Sequence, residues 1–495
     1  MLFDELISTL AVVQRTGIGN PDIAGIAYDS RRVAPGCLFV CIRGGKFDGN
    51  DFIQTAIENG ACAILSDQPN SAFPQVPTAV VPSVREAMPA LANRFFDHPS
   101  RRLKVVGITG TKGKTTTTYL IESIVRAAGL GAGVIGTMGT RINGVAIPGD
   151  RTTPESIDLQ ELFSRMVHQG VSAVAMEVSS HSLVARRPEG TEFDIGIFTN
   201  LTRDHLDFHA DMEDYLQTKM RLFTEYPKSS TKPFAAIVNI DDPAGVRVAE
   251  LSLGRVVTTG IHSEADITAT NILASARGVS FDVHAPGADF HVDLALGGHF
   301  NVYNSLAAIG AGLALGLSAG IIKAGLESVS SVAGRFESVD CGQDFSVLVD
   351  YAHTPDSLEN VLTSARELTD KRLIVVFGCG GDRDRGKRPL MGGIGARMAD
   401  VCIVTSDNPR SEDPGVIIDE ILQGTHGDSS MPKEEIAEVE AIADRREAIE
   451  HALKIAKPGD IVVIAGKGHE TYQIFRNETI HFDDREVVRE LLAGC

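Results

Sequence analysis

The sequence GITGTKGKTT, Gly107–Thr116, decides how the middle of this 495-residue chain folds. It overlaps the end of the apolar run Leu103–Ile108, which is typical of a buried strand, and it leads into the helical pattern Thr115–Ala128. Its glycines let the backbone curl so that N–H groups point at one anion, while Lys114 adds a cation and the next threonine a hydroxyl for Mg²⁺. A strict phosphate loop would carry glycine where this chain has Ile108. The strand–helix context favours nucleotide binding over a glycine-rich turn that binds nothing.

Further apolar runs of strand type recur along the chain and alternate with helical patterns such as Ile157–His168. This alternation predicts an α/β fold with βαβ units on parallel sheets. Ligands of such sheets bind at the carboxyl ends of the strands, and polar motifs follow directly after several of these runs. The runs are Ala173–Val178, Ile195–Thr199, Ala235–Asn239, Val347–Asp350, Leu373–Gly378, Val401–Thr405 and Ile461–Ala465.

Composition excludes several classes of protein. The chain is 43% hydrophobic and 22% charged, as expected of a soluble globular protein, and its net charge of −19 disfavours unspecific binding to nucleic acid or anionic membranes. Seven scattered cysteines without a CxxC pair fit a reducing cytoplasm. Asp4 and Glu5 stand where a signal peptide would carry basic residues. The uncharged stretch Ser305–Ile322 contains four glycines, so we expect two helical segments broken near Ser318 and no membrane span.

The length suggests three domains. The segment Phe96–Arg102 is interpreted as a linker before the first long βα unit, and Val332–Glu337 as a turn before a new series of strands. We therefore predict domains at residues 1–100, 101–336 and 337–495.

The motifs outside the phosphate loop extend over most of the chain, and together with Gly110–Thr116 they resemble those of the Mur ligases, which build the peptide of bacterial cell-wall precursors. The resemblance implies an N-terminal UDP-binding α/β domain, a central P-loop ATPase domain on a parallel sheet and a C-terminal, Rossmann-like amino-acid-binding domain. The motifs are Thr152–Glu155, Glu177–His181, Asn200–His205, Tyr215 with Lys219 and Phe223, Phe300–Asn304, Gly334–Glu337, Asp350–Pro355, Gly378–Pro389, Asp407–Arg410 and Gly466–Glu470.

The resemblance also implies an activity. We expect an ATP- and Mg²⁺-dependent ligase that adds meso-2,6-diaminopimelate to the D-glutamate of UDP-N-acetylmuramoyl-L-alanyl-D-glutamate through an acyl phosphate, in peptidoglycan synthesis. Its partners would be these two small molecules, with no nucleic acid, and the enzyme would be a cytoplasmic monomer. The nearest alternative is the same ligase adding L-lysine. Two further alternatives are a folylpolyglutamate synthetase and a P-loop switch that hydrolyses nucleotide only to change shape.

By the same resemblance the ATP site comprises the phosphate loop and three residues further along the chain, and Lys114, Lys219 and His205 are the catalytic residues. The implied ATP-binding residues are Gly110, Thr111, Lys112, Gly113, Lys114, Thr115, Thr116, Asn304, Arg335 and Asp350. The implied Mg²⁺ ligands are Thr115, Glu177, His205 and Lys219, the last as a carbamate.

For two of these residues, Glu177 and Lys219, the sequence also allows a role other than metal binding. Glu177 ends an apolar run, where a carboxylate can bind metal above a parallel sheet but can also cap a helix or face solvent. Lys219 has apolar neighbours, and a buried lysine favours the neutral amine that reacts with CO₂. A lysine on a helix can instead extend its ammonium group to the surface.

The substrate sites also follow from the resemblance. One departure from the family pattern is Ala185, which stands where a glutamine is often found. Asp407–Arg410 is the motif typical of members that add diaminopimelate, and it argues against lysine. The implied UDP-substrate residues are Tyr28, Ser30, Gly45, Lys46, Phe47, Thr152, Thr153, Ser179 and Arg187. The implied diaminopimelate residues are Arg383, within the charged run Asp382–Arg388, and Asp407, Asn408, Pro409, Arg410, Gly466 and Glu470.

Overall fold

The computed structural model describes residues 1–45, 47–69, 72–149, 151–426 and 437–493. The chain divides into two compact units, Met1–Thr259 with Ala307–Ser318 and Gly260–Leu306 with Ala319–Cys495. Its sheets are rich in parallel strands and alternate with helices, which confirms the predicted α/β class. The domain boundaries at residues 100 and 336 stay predictions.

The first unit begins with a small sheet in the order β1-β5-β4-β3-β2, in which only β1 runs antiparallel to its neighbour. Phe3, Leu38, Leu65 and Met88 are fully or almost fully buried in its core. Short 3-10 helices cover Ser30–Arg32, Gly49–Phe52 and Pro99–Arg102. The elements are α1 (Phe3–Ile7), β1 (Gln14–Thr16), β2 (Gly25–Ala27), β3 (Cys37–Val40), α2 (Ile53–Glu58), β4 (Ala61–Ser66), β5 (Thr78–Val80) and α3 (Val84–Phe95).

The second sheet of this unit carries the phosphate loop. Its strands stand in the order β13-β12-β11-β6-β10-β7-β8-β9, and the first six are parallel. The elements are β6 (Lys104–Thr109), α4 (Lys114–Ala127), β7 (Gly131–Gly136), β8 (Gly139–Ile142), β9 (Val145–Ile147), α5 (Ser156–His168), β10 (Val171–Glu177), α6 (Ser180–Val184), β11 (Ile195–Phe198), α7 (Met212–Thr224), α8 (Tyr226–Ser229), β12 (Ala235–Asn239), α9 (Pro243–Leu251) and β13 (Arg255–Gly260).

Strand order brings the predicted metal ligand to the loop. β6 lies between β10 and β11, and Glu177 at the end of β10 pairs in register with Ile108. The carboxylate therefore stands at the same edge of the sheet as Gly110, which begins the turn after β6. This is the position at which open α/β sheets bind their ligands.

The second unit contains an antiparallel meander of β14 (Ile267–Ala274), β15 (Val279–Ala285) and β16 (Ala288–Leu294). Helix α10 (Phe300–Ala314), within which the division of the chain falls, is followed by α11 (Ala319–Glu327). The predicted interruption near Ser318 is confirmed. Within the described part of the chain, no helix combines the length and the apolar character needed to cross a membrane.

The C-terminal sheet has the order β17-β18-β22-β19-β20-β21 and is parallel except for β17. Leu373, Val375 and Phe377 of β19 pack in one apolar cluster and Ile374 and Val376 in another, so both faces are covered. The elements are β17 (Glu337–Ser338), β18 (Ser346–Asp350), α12 (Pro355–Arg366), β19 (Leu373–Phe377), α13 (Lys387–Met398), β20 (Val401–Val404), α14 (Pro414–Leu422), β21 (Glu438–Ala441), α15 (Arg445–Ile455), β22 (Ile461–Ala465), β23 (Tyr472–Ile474), β24 (Thr479–His481) and α16 (Asp484–Ala493).

A buried ion pair joins the first residues of two helices in this sheet's outer layer. Arg445 of α15 donates from Nε and Nη2 to the two carboxylate oxygens of Asp484 of α16, over 2.8 and 2.7 Å. Both side chains are fully buried. Such a pair is costly to break, because removing one partner leaves the other charge buried and unpaired.

We predict that Arg445→Ala lowers the free energy of unfolding by about 3–5 kcal/mol. Urea denaturation followed by circular dichroism measures this loss. The matched control is Arg446→Ala, which removes an exposed pair with Glu490 from the adjacent position and should cost about 1 kcal/mol or less. Equal losses in the two variants would contradict the argument.

Candidate active site

The phosphate loop needs glycine at two positions. Gly110 has a φ of +143°, and a Cβ there would stand 1.9 Å from the hydroxyl oxygen of Thr199. Gly113 has a φ of +83° and forms the N-cap of α4. Both backbone conformations are ones that glycine adopts readily. The loop is further fixed by Asn200, whose carbonyl accepts from Thr111 N and whose side chain accepts from Lys112 N, each over 2.9 Å.

Lys114 folds back over this loop. Its Nζ donates to the carbonyl oxygens of Gly110 and Thr111 over 3.0 and 2.7 Å. Thr115 and Thr116 follow as buried residues in the first turn of α4. The seven predicted residues from Gly110 to Thr116 thus form one continuous turn at a helix N-terminus, which is the arrangement that binds phosphate.

Glu177 is a buried carboxylate rather than a surface residue. Its Oε1 accepts from the Thr115 hydroxyl over 2.8 Å and from Thr137 N over 2.9 Å, and its Oε2 accepts from the Thr137 hydroxyl over 3.0 Å. Thr137 was not among the predicted residues. The signal for it is its place directly after β7, the strand beside β10.

This group of oxygen atoms suits a hard divalent cation. Mg²⁺ prefers oxygen ligands and is usually held by one or two carboxylates together with substrate phosphates. Thr115 and Glu177 supply a hydroxyl and a carboxylate next to the phosphate loop. Within the described ranges, no group of three or more His, Cys, Asp or Glu side chains has the geometry of a metal site.

Lys219 lies beneath the same loop and is 1% exposed. Its Nζ donates to the Gly110 carbonyl over 2.8 Å and lies 4.3 Å from the ring centre of Tyr215. Burial lowers the pKa of Lys219 well below its ordinary value, and the neighbouring Lys114 acts in the same direction while Asp204 opposes it. The alternative of a lysine that extends to solvent is therefore excluded, and burial favours the neutral amine.

His205 stands in a cluster of aromatic rings, and its Nδ1 lies 3.4 Å from the Asp204 carboxylate. Its ring centre lies 4.8 Å from that of His181, which stacks on Phe208 at 4.0 Å. Burial lowers the pKa of His205, whereas Asp204 raises it. Burial also lowers the pKa of His181 to about 4, with His205 and His209 contributing. His205 has a left-handed φ of +54°, unusual for a residue with a side chain, so the fold holds it in place.

Three predicted substrate residues adjoin Glu177. The Thr152 hydroxyl lies 3.1 Å from the Thr137 hydroxyl, and the Thr153 hydroxyl donates to the backbone carbonyl of Glu177 over 2.8 Å. Ser179 N donates to the Thr153 hydroxyl over 3.3 Å. The segments after β9 and β10 therefore present a continuous row of hydroxyl groups beside the carboxylate.

Arg187 belongs to a network centred on Glu155. The buried Glu155 carboxylate accepts from Arg187 Nε over 3.1 Å, from Arg85 Nη1 over 2.9 Å and from Arg151. Three guanidinium groups around one carboxylate leave two positive charges in excess, which suits an anionic ligand. Arg85 also donates to the carbonyl of Ala185, the position that departs from the family pattern, over 3.4 Å. The contacts of Arg85 and Glu155 were not anticipated from the sequence.

The predicted UDP residues fall into two groups. Tyr28 donates to the Asp158 carboxylate and lines a cavity of about 270 Å³ together with Arg32, Arg151 and Arg165. Burial raises the pKa of Tyr28, and the hydrogen bond to Asp158 adds to this. The residues predicted to bind the UDP end together with Tyr28 do not line this cavity, namely Ser30, Gly45 and Phe47. The fourth such residue, Lys46, lies outside the described residues.

The three predicted ATP residues of the second unit occupy two places. Asn304 is buried in α10, where its side-chain amide donates to Asn301 over 2.8 Å. Asp350 accepts from Phe336 N over 2.7 Å, and the guanidinium of Arg335 lies 5.4 Å from the ring centre of Tyr351. Burial raises the pKa of Asp350, and Arg335 opposes this increase.

The predicted diaminopimelate residues mostly cluster in the C-terminal sheet. Asn408 donates from its amide to Glu470 over 2.8 Å. Arg410 has a left-handed φ of +53° and donates from Nη1 to the Gly381 carbonyl over 2.9 Å. Pro409 follows Asn408, and Asp407 lies beside Gly466, whose φ is +115°. The clustering brings the loop after β20 and the loop after β22 together.

Two arginines of the charged run Asp382–Arg388 differ in exposure. Arg383 is exposed and donates to the carbonyl of Asp382 over 3.2 Å. Arg388 is instead fully buried, with hydrogen bonds of 2.8 and 2.9 Å to Glu412 and 2.7 Å to Glu420. It ties the start of α13 to α14 and to the segment before it, so its role is structural. The sequence offered no sign of this difference between the two arginines.

Three family models match segments of this chain. The family model "Mur ligase middle domain" matches residues 108–312, "Mur ligase, glutamate ligase domain" residues 334–468 and "Mur ligase family, catalytic domain" residues 22–98. A protein of Syntrophomonas wolfei named UDP-N-acetylmuramoyl-L-alanyl-D-glutamate–2,6-diaminopimelate ligase is 45% identical over 99% of both chains. The chain belongs to the Mur ligase family. A ligase of the same name from Geobacillus thermodenitrificans is 47% identical over 95% of both chains.

A solved structure agrees with the family assignment. The structure titled UDP-N-acetylmuramoyl-L-alanyl-D-glutamate–2,6-diaminopimelate ligase is 33% identical, covers 95% of both chains and has a TM-score of 0.67. The three-domain Mur ligase architecture is thereby confirmed for this chain.

We predict that Gly110→Ala weakens nucleotide binding at least about tenfold, because the added Cβ collides with Thr199 and backbone strain of this kind costs about 1–3 kcal/mol. Titration with a fluorescent ADP analogue measures the affinity. The control is Gly129→Ala, at the end of the same helix, which has φ +73° but open space around a Cβ. Normal nucleotide affinity in a folded Gly110→Ala protein would refute the steric argument.

Proposed function

We propose that this protein is an ATP-dependent ligase that joins meso-2,6-diaminopimelate to the D-glutamate of UDP-N-acetylmuramoyl-L-alanyl-D-glutamate in peptidoglycan synthesis. The observation that carries the proposal is the 45–47% identity, over nearly the whole chain, to ligases named for these substrates. The phosphate loop, the buried carboxylate beside it and the arginine-rich C-terminal loops provide the matching chemistry.

The first half-reaction needs two anions to meet. The D-glutamate carboxylate attacks the γ-phosphate of ATP, forming an acyl phosphate and releasing ADP. We propose that the loop Gly110–Thr116 binds the phosphates and that Lys114 turns from the loop carbonyls toward the β- and γ-phosphates. Thr115, Glu177, His205 and carbamylated Lys219 would hold Mg²⁺, which would supply positive charge to offset that of the phosphates. Positioned positive groups of this kind commonly contribute several kcal/mol to transition-state stabilisation.

The second half-reaction forms the amide. The amine of diaminopimelate attacks the acyl phosphate carbon, a C–N bond forms, and inorganic phosphate leaves. We propose that Thr152, Thr153, Ser179 and Arg187 orient the sugar–peptide substrate, since they form the hydroxyl row and the arginine network beside Glu177. Tyr28, Ser30 and the Gly45–Phe47 segment are proposed for the UDP end, and Asn304, Arg335 and Asp350 for the rest of ATP.

Lys219 is proposed to act as a carbamate. Its neutral amine can add to CO₂, which forms an N–C bond and releases one proton, and the product is an anion that can bind a cation. The environment supports this assignment, because burial and the nearby Lys114 disfavour the ammonium form.

We predict that Lys219→Ala loses most activity and recovers part of it with added short-chain carboxylic acids, because the missing group is an anion. Lys114→Ala, which removes a cation of the same loop, should lose activity without such recovery and serves as the control. Intact-mass analysis under CO₂ should show one added CO₂ on the wild type and none on Lys219→Ala. A wild type without the added CO₂, or no recovery with any acid, would exclude the carbamate.

The choice of amino acid is assigned to Arg410. Diaminopimelate carries a second carboxylate that lysine lacks, and a guanidinium group matches a carboxylate with two parallel hydrogen bonds. Lysine would leave this guanidinium without its partner in a partly buried site, and sites built around a polar group can reject the analogue by roughly 10⁴-fold. The full-length relatives are named for diaminopimelate, which favours it over lysine.

The test is mass spectrometry of the product formed from the UDP-dipeptide, ATP, Mg²⁺ and an equimolar mixture of diaminopimelate and L-lysine. Wild-type enzyme should form the diaminopimelate product almost exclusively. Arg410→Ala should raise KM for diaminopimelate at least about tenfold, as expected for a lost charged hydrogen bond, with KM for ATP little changed. Arg397→Ala, which removes an exposed arginine paired with Glu359, is the control. Phosphate release without an amide product would favour a nucleotide switch instead.

We further propose a cytoplasmic, monomeric enzyme. The acidic composition, the absence of paired cysteine motifs and the nature of the substrates support this assignment. Light scattering coupled to size-exclusion chromatography should give a mass near 52.8 kDa.

A further inference from the structure

Lys467 is a buried cation in the proposed amino-acid site that the sequence patterns did not single out. It follows β22, and its side chain is fully buried. Its Nζ donates to the Asn408 side-chain oxygen over 3.1 Å and lies 3.3 Å from Asp407 Oδ1 and 3.8 Å from Glu470 Oε2. The lysine thus contacts three of the residues assigned to diaminopimelate.

The backbone around Lys467 is built to direct its side chain inward. Gly466 and Gly468 have φ values of +115° and +54°, and a Cβ on Gly468 would stand 2.6–2.8 Å from atoms of Tyr351. The Lys467 carbonyl accepts from Glu470 N over 2.9 Å, which closes a tight turn. The turn therefore places the lysine side chain and the Glu470 carboxylate next to each other.

Lys467 places a positive charge within 4 Å of both the Asp407 and the Glu470 carboxylate. Asp407 and Glu470 bring two carboxylates into one partly buried site. Burial and the charge of Asp407 raise the pKa of Glu470, while the Asn408 hydrogen bond, Lys467 and Arg410 lower it. Burial also lowers the pKa of Lys467, whereas Asp407 and Glu470 raise it. The titratable and charged groups facing Glu470 are Asp407, Arg410, Lys467, Tyr472, Tyr351 and Arg445.

We infer that Lys467 is a positioning residue that holds the Asp407 and Glu470 carboxylates in the orientation that accepts the ammonium group of the incoming amino acid, and that its charge favours the ionised form of Glu470. The inference rests on the proposed function, because it takes diaminopimelate as the ligand of these loops. Lys467 does not itself contact the substrate in this scheme. A fully buried ammonium group that already bonds to Asn408 acts through the two carboxylates.

The neutral variant Lys467→Met tests this role. Without the lysine charge, Glu470 holds its proton to higher pH, and binding that needs the carboxylate is lost as pH falls through that raised pKa. We expect KM for diaminopimelate to rise about 10–100-fold at pH 7, and the acidic limb of its pH profile to move upward by about one unit. KM for ATP and for the UDP-dipeptide should change less than about twofold.

Three further variants separate positioning from general stability. Lys467→Arg keeps the charge and should restore most of the affinity and the wild-type acidic limb. Glu470→Gln should remove the limb, because no group remains to titrate. Lys232→Met removes a partly buried lysine, one paired with Asp194 in the first unit, and should leave the diaminopimelate pH profile unchanged.

Several results would overturn the inference. These are an unmoved acidic limb in folded Lys467→Met, an equal rise of all three KM values, or a Lys467→Arg protein no better than Lys467→Met. If Lys467→Met does not fold, the pH profiles of Lys467→Arg and Glu470→Gln decide the question by the same criteria. If the wild type forms no diaminopimelate product, the proposed function itself is refuted. If the wild type forms the product but the acidic limb of Lys467→Met does not move, only the role of Lys467 is refuted.

Discussion

The carbonyl oxygen of Gly110 is the point on which the proposed ATP site depends. It accepts hydrogen bonds from Lys114 over 3.0 Å and from Lys219 over 2.8 Å, so two lysines converge on one backbone atom. The carbonyl takes this direction only because Gly110 has a left-handed backbone packed against Thr199. One of the two lysines is buried, and the positive charge of the other disfavours a second positive charge beside it. The geometry of a single glycine thus links the phosphate-binding cation to the chemical state of the buried amine.

Much of this site could be predicted from the sequence, because local patterns determine its parts. The phosphate loop is contiguous, and Glu177 ends an apolar run, so strand geometry alone places both at the edge of a sheet. Thr137 could not be found in the same way, because its role depends on β7 standing beside β10. The Arg85–Glu155 pair joins residues 70 positions apart, which no spacing rule anticipates.

The charged run of the C-terminal domain shows a second limit of prediction from sequence. Sequence correctly marks Asp382–Arg388 as unusual in a chain of net charge −19, but it does not distinguish its arginines. Arg388 is fully buried between Glu412 and Glu420, whereas Arg383 is exposed. Glu420 of α14 pairs with the exposed Arg385 as well as with Arg388, and Arg388 differs in that it also bonds to Glu412. Burial of a side chain is decided by such tertiary contacts, and a lone charge pattern carries no information about them.

Two buried lysines illustrate how neighbours decide what one residue type does. Lys219 and Lys467 are both almost fully buried, so desolvation disfavours the charged form of each. Lys219 has another lysine nearby and bonds to an uncharged carbonyl, which favours a neutral, nucleophilic amine. Lys467 lies within 4 Å of the carboxylates of Asp407 and Glu470, which favour the ammonium ion. Neighbouring charges therefore shift the pKa of two similarly buried lysines in opposite directions, and this difference is the basis for the two different roles proposed for them.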